Sequence, residues 1–115
     1  MLVDLKNEVL SIHNDKQGTY EKYGIVNGRR SWKTATSAIW FIPEFNTWAI
    51  GDLKDIGTKF RYIASKADFG DRMDDPSNKW YYWKDKKWQT IQSGDIIIRC
   101  NSGKYFQVLM YFHSN

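Results

Sequence analysis

The residues best suited to chemistry are four aspartates in one polar stretch (Asp68, Asp71, Asp74 and Asp75), a single thiol, Cys100, and two imidazoles, His13 and His113. Oxygen donors so close together are the raw material of a Ca²⁺ site. The stretch nevertheless lacks the alternating donors, central glycine and closing glutamate of an EF-hand loop, and it reads as a solvated loop. Cys100 shares the parity of Ile96 and Ile98 on an apolar strand, the setting of a core thiol and not of a nucleophile. One cysteine excludes an internal disulfide and an all-cysteine zinc site. The histidines stand at opposite ends of the chain with no Gly-x-Ser-x-Gly elbow, and no local spacing pairs Glu21 or Glu44 with the aspartates as acid and base. The sequence therefore predicts no catalytic residue, no metal and no cofactor, with a small hydrolase kept as the minor alternative.

Recognition is the stronger theme. Aromatic residues make up 17% of the chain, and rings that each bury about 150–250 Å² argue against disorder. Trp80-Tyr81-Tyr82-Trp83 and Trp88 flank Lys84-Asp85-Lys86-Lys87. In a strand, Trp80 and Tyr82 share one face while Tyr81 and Trp83 share the other, so one pair is core and the other is open to a ligand. Trp80 heads the strand as a core anchor would, which makes Tyr81 and Trp83 the exposed pair, with Trp88 across the strands from Trp83. The candidate binding residues are Tyr81, Trp83 and Trp88, together with Lys84, Lys86, Arg29 and Arg30. A ligand met through exposed rings is a peptide, a protein or a glycan.

Single-stranded nucleic acid also needs rings interleaved with cations. The net charge is only +4, however, and the basic clusters (Arg29, Arg30, Lys33; Lys79, Lys84, Lys86, Lys87) are separated by the aspartate stretch. Nucleic acid is therefore possible but not favoured. No run of 18 apolar residues provides a membrane span, and the first sixteen residues, with Asp4, Glu8 and Asp15, lack the apolar core of a signal peptide. A cytoplasmic location is the default expectation.

The elements that must position these residues are short strands. Leu2, Leu5, Val9, Leu10 and Ile12 recur at helical spacing, which predicts a short N-terminal helix. Strands are then predicted over Thr19–Val26, Arg30–Thr34, Ser37–Ile42, Thr47–Ile50, Phe60–Ala64, Trp80–Trp83, Trp88–Ile91, Asp95–Asn101 and Lys104–His113. Asn27-Gly28 and Ser102-Gly103 supply tight turns, Lys84–Lys87 a four-residue connection, and 65–79 a long loop. Face alternation nominates Trp48, Ile50, Ile96, Ile98, Phe106, Val108, Met110 and Phe112 for the core. The pattern is that of a single all-β domain over 1–115, a small antiparallel sandwich or barrel.

From Asn27 to Cys100 the ordered residues Asn27-Gly28-Arg29, Trp32-Lys33, Trp40-Phe41, Trp48-Ala49-Ile50-Gly51, Ala64-Ser65, Pro76, Trp80 with Trp83, Trp88 and Ile96-Ile97-Ile98 resemble a β-rich module of large protist and marine invertebrate proteins. That module has no established activity; as a repeated or appended unit it implies binding or structural duty. Trp80-Tyr81-Tyr82-Trp83 is more weakly similar to the paired tryptophans of the WWE domain, which reads ADP-ribose units or peptides. Lys84 stands where the WWE pattern carries an acid.

Overall fold

The computed structural model describes residues 1–100. The chain opens with β1 (Leu2–Leu5), helix α1 (Asn7–Ile12), a 3₁₀ turn at Asn14–Lys16 and β2 (Gly18–Thr19). It continues through β3 (Glu21–Val26), β4 (Arg29–Lys33), β5 (Ser37–Ile42), β6 (Thr47–Asp52), β7 (Ile63–Ser65), β8 (Trp80–Lys84), β9 (Lys87–Thr90) and β10 (Ile96–Arg99). β3 to β9 form one antiparallel meander of seven strands in sequence order, and β10-β1-β2 form a second, three-stranded sheet. The fold is all-β and, among the described residues, an unequal sandwich with no closed barrel.

Turn chemistry sets the meander. Asn27 (φ 53°) and Gly28 (φ 82°) take the left-handed conformations of a two-residue hairpin turn between β3 and β4. Pro43 ends β5, and Asn46 at φ 52° returns the chain into β6. All six residues of β5 are buried, which explains why its sequence, Ser-Ala-Ile-Trp-Phe-Ile, does not alternate: both faces are covered. Inward, Ile39, Phe41, Trp48, Ile50, Ile63, Trp80 and Tyr82 pack on Val3, Leu5, Val9, Tyr20 and Ile98 of the smaller layer. Outward, Ala38, Trp40, Ile42 and Ala49 are roofed by Leu53 and Ile56.

Trp48, Ile50 and Ile98 are core as predicted, and Ile96 packs against the core half-buried. Phe106, Val108, Met110 and Phe112 lie outside the described residues. The predicted N-terminal helix is real but shorter. Leu2–Leu5 is instead the central strand of the small sheet, because Val3 and Leu5 alternate inward and β2 and β10 occupy both flanks. Thr19–Val26 divides at the buried Tyr20, where the chain passes from one sheet to the other with Gly18 at φ 134°. Lys84–Lys87 tightens to a two-residue turn: Lys84 pairs with Lys87, and Asp85 (φ 51°) and Lys86 (φ 62°) both accept left-handed backbone.

One glycine shapes the outer face. A side chain at Gly51 would place Cβ 2.9 Å from Trp40 Cη2 and 3.2 Å from Arg61 Cα. Its absence lets the segment Thr58–Tyr62 cross closely over β6 before joining the sheet as β7. The predicted strand Phe60–Ala64 therefore begins only at Ile63, and Arg61 lies over the outer face instead of sharing Ile63's inward direction.

Candidate functional site

The β8–β9 hairpin divides its rings as strand alternation requires. Trp80 and Tyr82 are buried, whereas Tyr81 and Trp83 are half-buried on the outer face. Trp83 lies directly opposite Trp88, with ring centroids 5.2 Å apart and planes at 63°. That edge-to-face contact fixes Trp88, which remains 37% exposed. Next to Tyr81 on β7 stands Ala64, whose small side chain leaves a depression. Phe45, 47% exposed in the β5–β6 turn, forms the far wall.

Arg61 closes the depression. Its guanidinium carbon lies 4.7 Å from the Phe45 ring centroid and 4.8 Å from that of Trp88, so the cation is sandwiched between two rings. Nη1 donates to the Lys59 carbonyl at 3.0 Å. Nε is buried without a hydrogen-bond partner among the described residues. Burial pulls the guanidinium pKa below its usual value, which still leaves it charged at neutral pH. The resulting groove, about 310 Å³, is lined by Phe45, Thr47, Arg61, Ala64, Tyr81 and Trp88, with Ser65 and Lys66 at its rim. It adjoins the open edge of the large sheet. Ile91 N donates to Trp80 O, so by antiparallel alternation Trp88 and Thr90 turn their backbone groups outward, where no strand follows among the described residues.

A second cleft, about 580 Å³, is lined by His13, Asp15, Lys16, Asp52, Tyr62, Trp83 and Lys84. It joins a histidine and carboxylates, but these groups are committed to one another. His13 Nε2 donates to Trp83 O at 2.8 Å, and burial holds its pKa below the ordinary value despite that bond. Lys16, 1% exposed, bridges Asp15 and Asp52 at 2.5 and 2.6 Å. Burial opposes its charge, yet the two carboxylates outweigh burial and hold its pKa above the usual value. Lys84 pairs with Glu8 at 2.8 Å, and Glu8 also accepts from the Tyr82 hydroxyl.

The predicted binding residues thus separate. Tyr81 and Trp88 line the groove, whereas Trp83 and Lys84 line the cleft. Lys86 sits on the turn. Arg29 is elsewhere: it donates twice to Asp68 at 2.7 and 2.6 Å and stacks 4.0 Å over Phe41, a ring of the inner core. Arg30 lines a third cavity with Trp32 and Cys100, whose thiol pKa burial pushes up. The aspartate stretch is a loop, as its polarity predicts, and among the described residues no three His, Cys, Asp or Glu side chains converge on a metal position.

Sequence reasoning missed six of the eight groove residues, Phe45 and Arg61 foremost, with Thr47, Ala64, Ser65 and Lys66. An aromatic immediately after a Pro-Glu turn, where no core position exists, is the one available signal for Phe45. Arg61 precedes β7, so strand alternation does not set its direction. No family model matches the chain, and neither curated proteins nor solved structures provide a match.

Proposed function

We propose that this chain is a non-catalytic binding module that seats a peptide segment of a partner protein in the groove between Phe45, Arg61, Tyr81 and Trp88. The carrying observation is the guanidinium of Arg61 held between two partly exposed rings beside an open sheet edge. Such a seat combines apolar area, a fixed donor and a backbone rail, which together suit an extended peptide. A glycan or a run of stacked bases favours a flat, open ring surface. Trp83 and Trp88 meet at 63° and offer none. Three of the seven cations a nucleic acid would use are also engaged, Arg29 by Asp68, Lys33 by Glu21 and Lys84 by Glu8. A hydrolase would have to be built in the cleft, whose histidine and lysine already serve internal bonds.

A peptide display selection on the folded chain tests this, run beside a glycan array and a single-stranded RNA pool. Peptides retained by the parent and lost in Trp88→Ala, with the circular dichroism spectrum unchanged, support the reading. Retention of glycan or RNA alone overturns it.

A further inference from the structure

We infer that the groove selects a carboxylate, so that the peptide it takes presents an Asp or Glu side chain, or a free C-terminus, to Arg61. The inference rests on the peptide reading and names the ligand chemistry of the same site.

The molecule contains an internal comparison. Arg29 and Arg61 are each stacked on aromatic rings, Arg29 at 4.0 Å over Phe41 and Arg61 at 4.7 and 4.8 Å from Phe45 and Trp88. Arg29 is completed by Asp68, which accepts both terminal nitrogens side by side. Arg61 has the rings and lacks the carboxylate: among the described residues no acid lies within 4.0 Å of it, and residues 101–115 carry no Asp or Glu. Glu44, the residue before Phe45, is paired with Lys59 at 3.9 Å.

The guanidinium is also held in one orientation. Nη1 is anchored on the Lys59 carbonyl, and the rings fix the guanidinium plane. Nε is buried with no partner among the described residues, and Nη2 makes no hydrogen bond to them either. A carboxylate entering the groove is met by Nη2, with the guanidinium charge held in place behind it by the Nη1 bond and the two rings. Lys66 at the rim adds a second positive charge without enclosing the seat.

The test is a positional peptide array of degenerate decamers, each with one position fixed as one of the twenty residues or as phosphoserine, made with free and with amidated C-termini. It is probed with the labelled full chain. At one position, Asp or Glu, or a free terminus, should exceed Asn, Gln or the amide by about tenfold or more. Arg61→Gln should erase that preference while its circular dichroism spectrum matches the parent's, and Arg61→Lys should restore only part of it. Peptides selected with no acidic preference, or the same preference in Arg61→Gln, overturn the inference and leave the peptide reading standing. Phosphoserine preferred over Glu replaces carboxylate with phosphate and overturns it as well. An array with no retained peptide overturns the peptide reading and this inference together.

Discussion

Gly51→Ala should destabilise the domain through contact alone. The glycine is not in a left-handed conformation, so alanine meets no backbone strain there. Its Cβ would stand 2.9 Å from Trp40 Cη2, 3.2 Å from Arg61 Cα and 3.4 Å from the Phe60 carbonyl oxygen. Carbon atoms prefer about 3.5–4.0 Å, so the Trp40 contact is too short by at least about 0.6 Å. Trp40 cannot yield freely: it is fully buried, and its indole N–H donates to the Thr58 carbonyl at 2.9 Å. The displacement must fall on the crossing segment that carries Arg61. Overpacking of this kind costs about 1–3 kcal/mol. With a urea slope of about 1–2 kcal/mol/M for a small domain, the midpoint should fall by roughly 1 M. Trp40→Phe removes the crowded ring atom, so the double variant should lose less than the sum of the two single losses, by a coupling of at least about 0.5 kcal/mol. Urea unfolding followed by tryptophan fluorescence and circular dichroism reads all four proteins. A Gly51→Ala variant as stable as the parent, or strictly additive losses, would refute the argument that this glycine sets the path of the Arg61 segment.

Other perturbations carry signs as definite. Asp68 is held below the usual carboxylate pKa, first by Arg29 and then by the Gly70 amide. Its contribution is present above about pH 4 and lost as pH falls through the depressed value. Asp68→Asn should cost about 1 kcal/mol at pH 7 and flatten the acid limb of a stability–pH curve. Tyr20, buried and donating to the Lys16 carbonyl, has its phenol pKa raised by that burial, so its contribution is full below about pH 10 and is lost at higher pH. Tyr20→Phe should cost about 1 kcal/mol at neutral pH and shrink the alkaline loss measured by urea titration. Lys86→Gly should gain about 0.5–1 kcal/mol, because Lys86 holds φ 62°, and should leave peptide affinity unchanged, since the turn is outside the groove.

What the sequence makes legible is the part governed by local rules. Asn27-Gly28 marks a turn because few other pairs accept its angles, and Trp80-Tyr81-Tyr82-Trp83 divides its faces because side chains in a strand must alternate. The exposed direction of Tyr81 and Trp83, and the pairing of Trp83 with Trp88, follow from that alternation. Arg61 leaves no mark in the sequence because its direction depends on a missing Cβ ten residues earlier, a tertiary contact with no local trace. Arg29 and Lys84 were read as free cations because Asp68 and Glu8 lie 39 and 76 positions away in sequence. Charge clusters show in a sequence; the ion pairs that neutralise them do not.

The central claim is that the Phe45–Arg61–Trp88 groove is the ligand seat, and proton–nitrogen NMR of the parent chain titrated with an array-selected peptide tests it most directly. The account predicts that the Arg61 Nε–H and Trp88 indole resonances shift most, with the Trp88 and Thr90 amides following, while the indoles of the buried Trp40 and Trp48 stay in place. The largest shifts falling instead on His13, Lys16 and Lys84, with Arg61 and Trp88 unmoved, would contradict it.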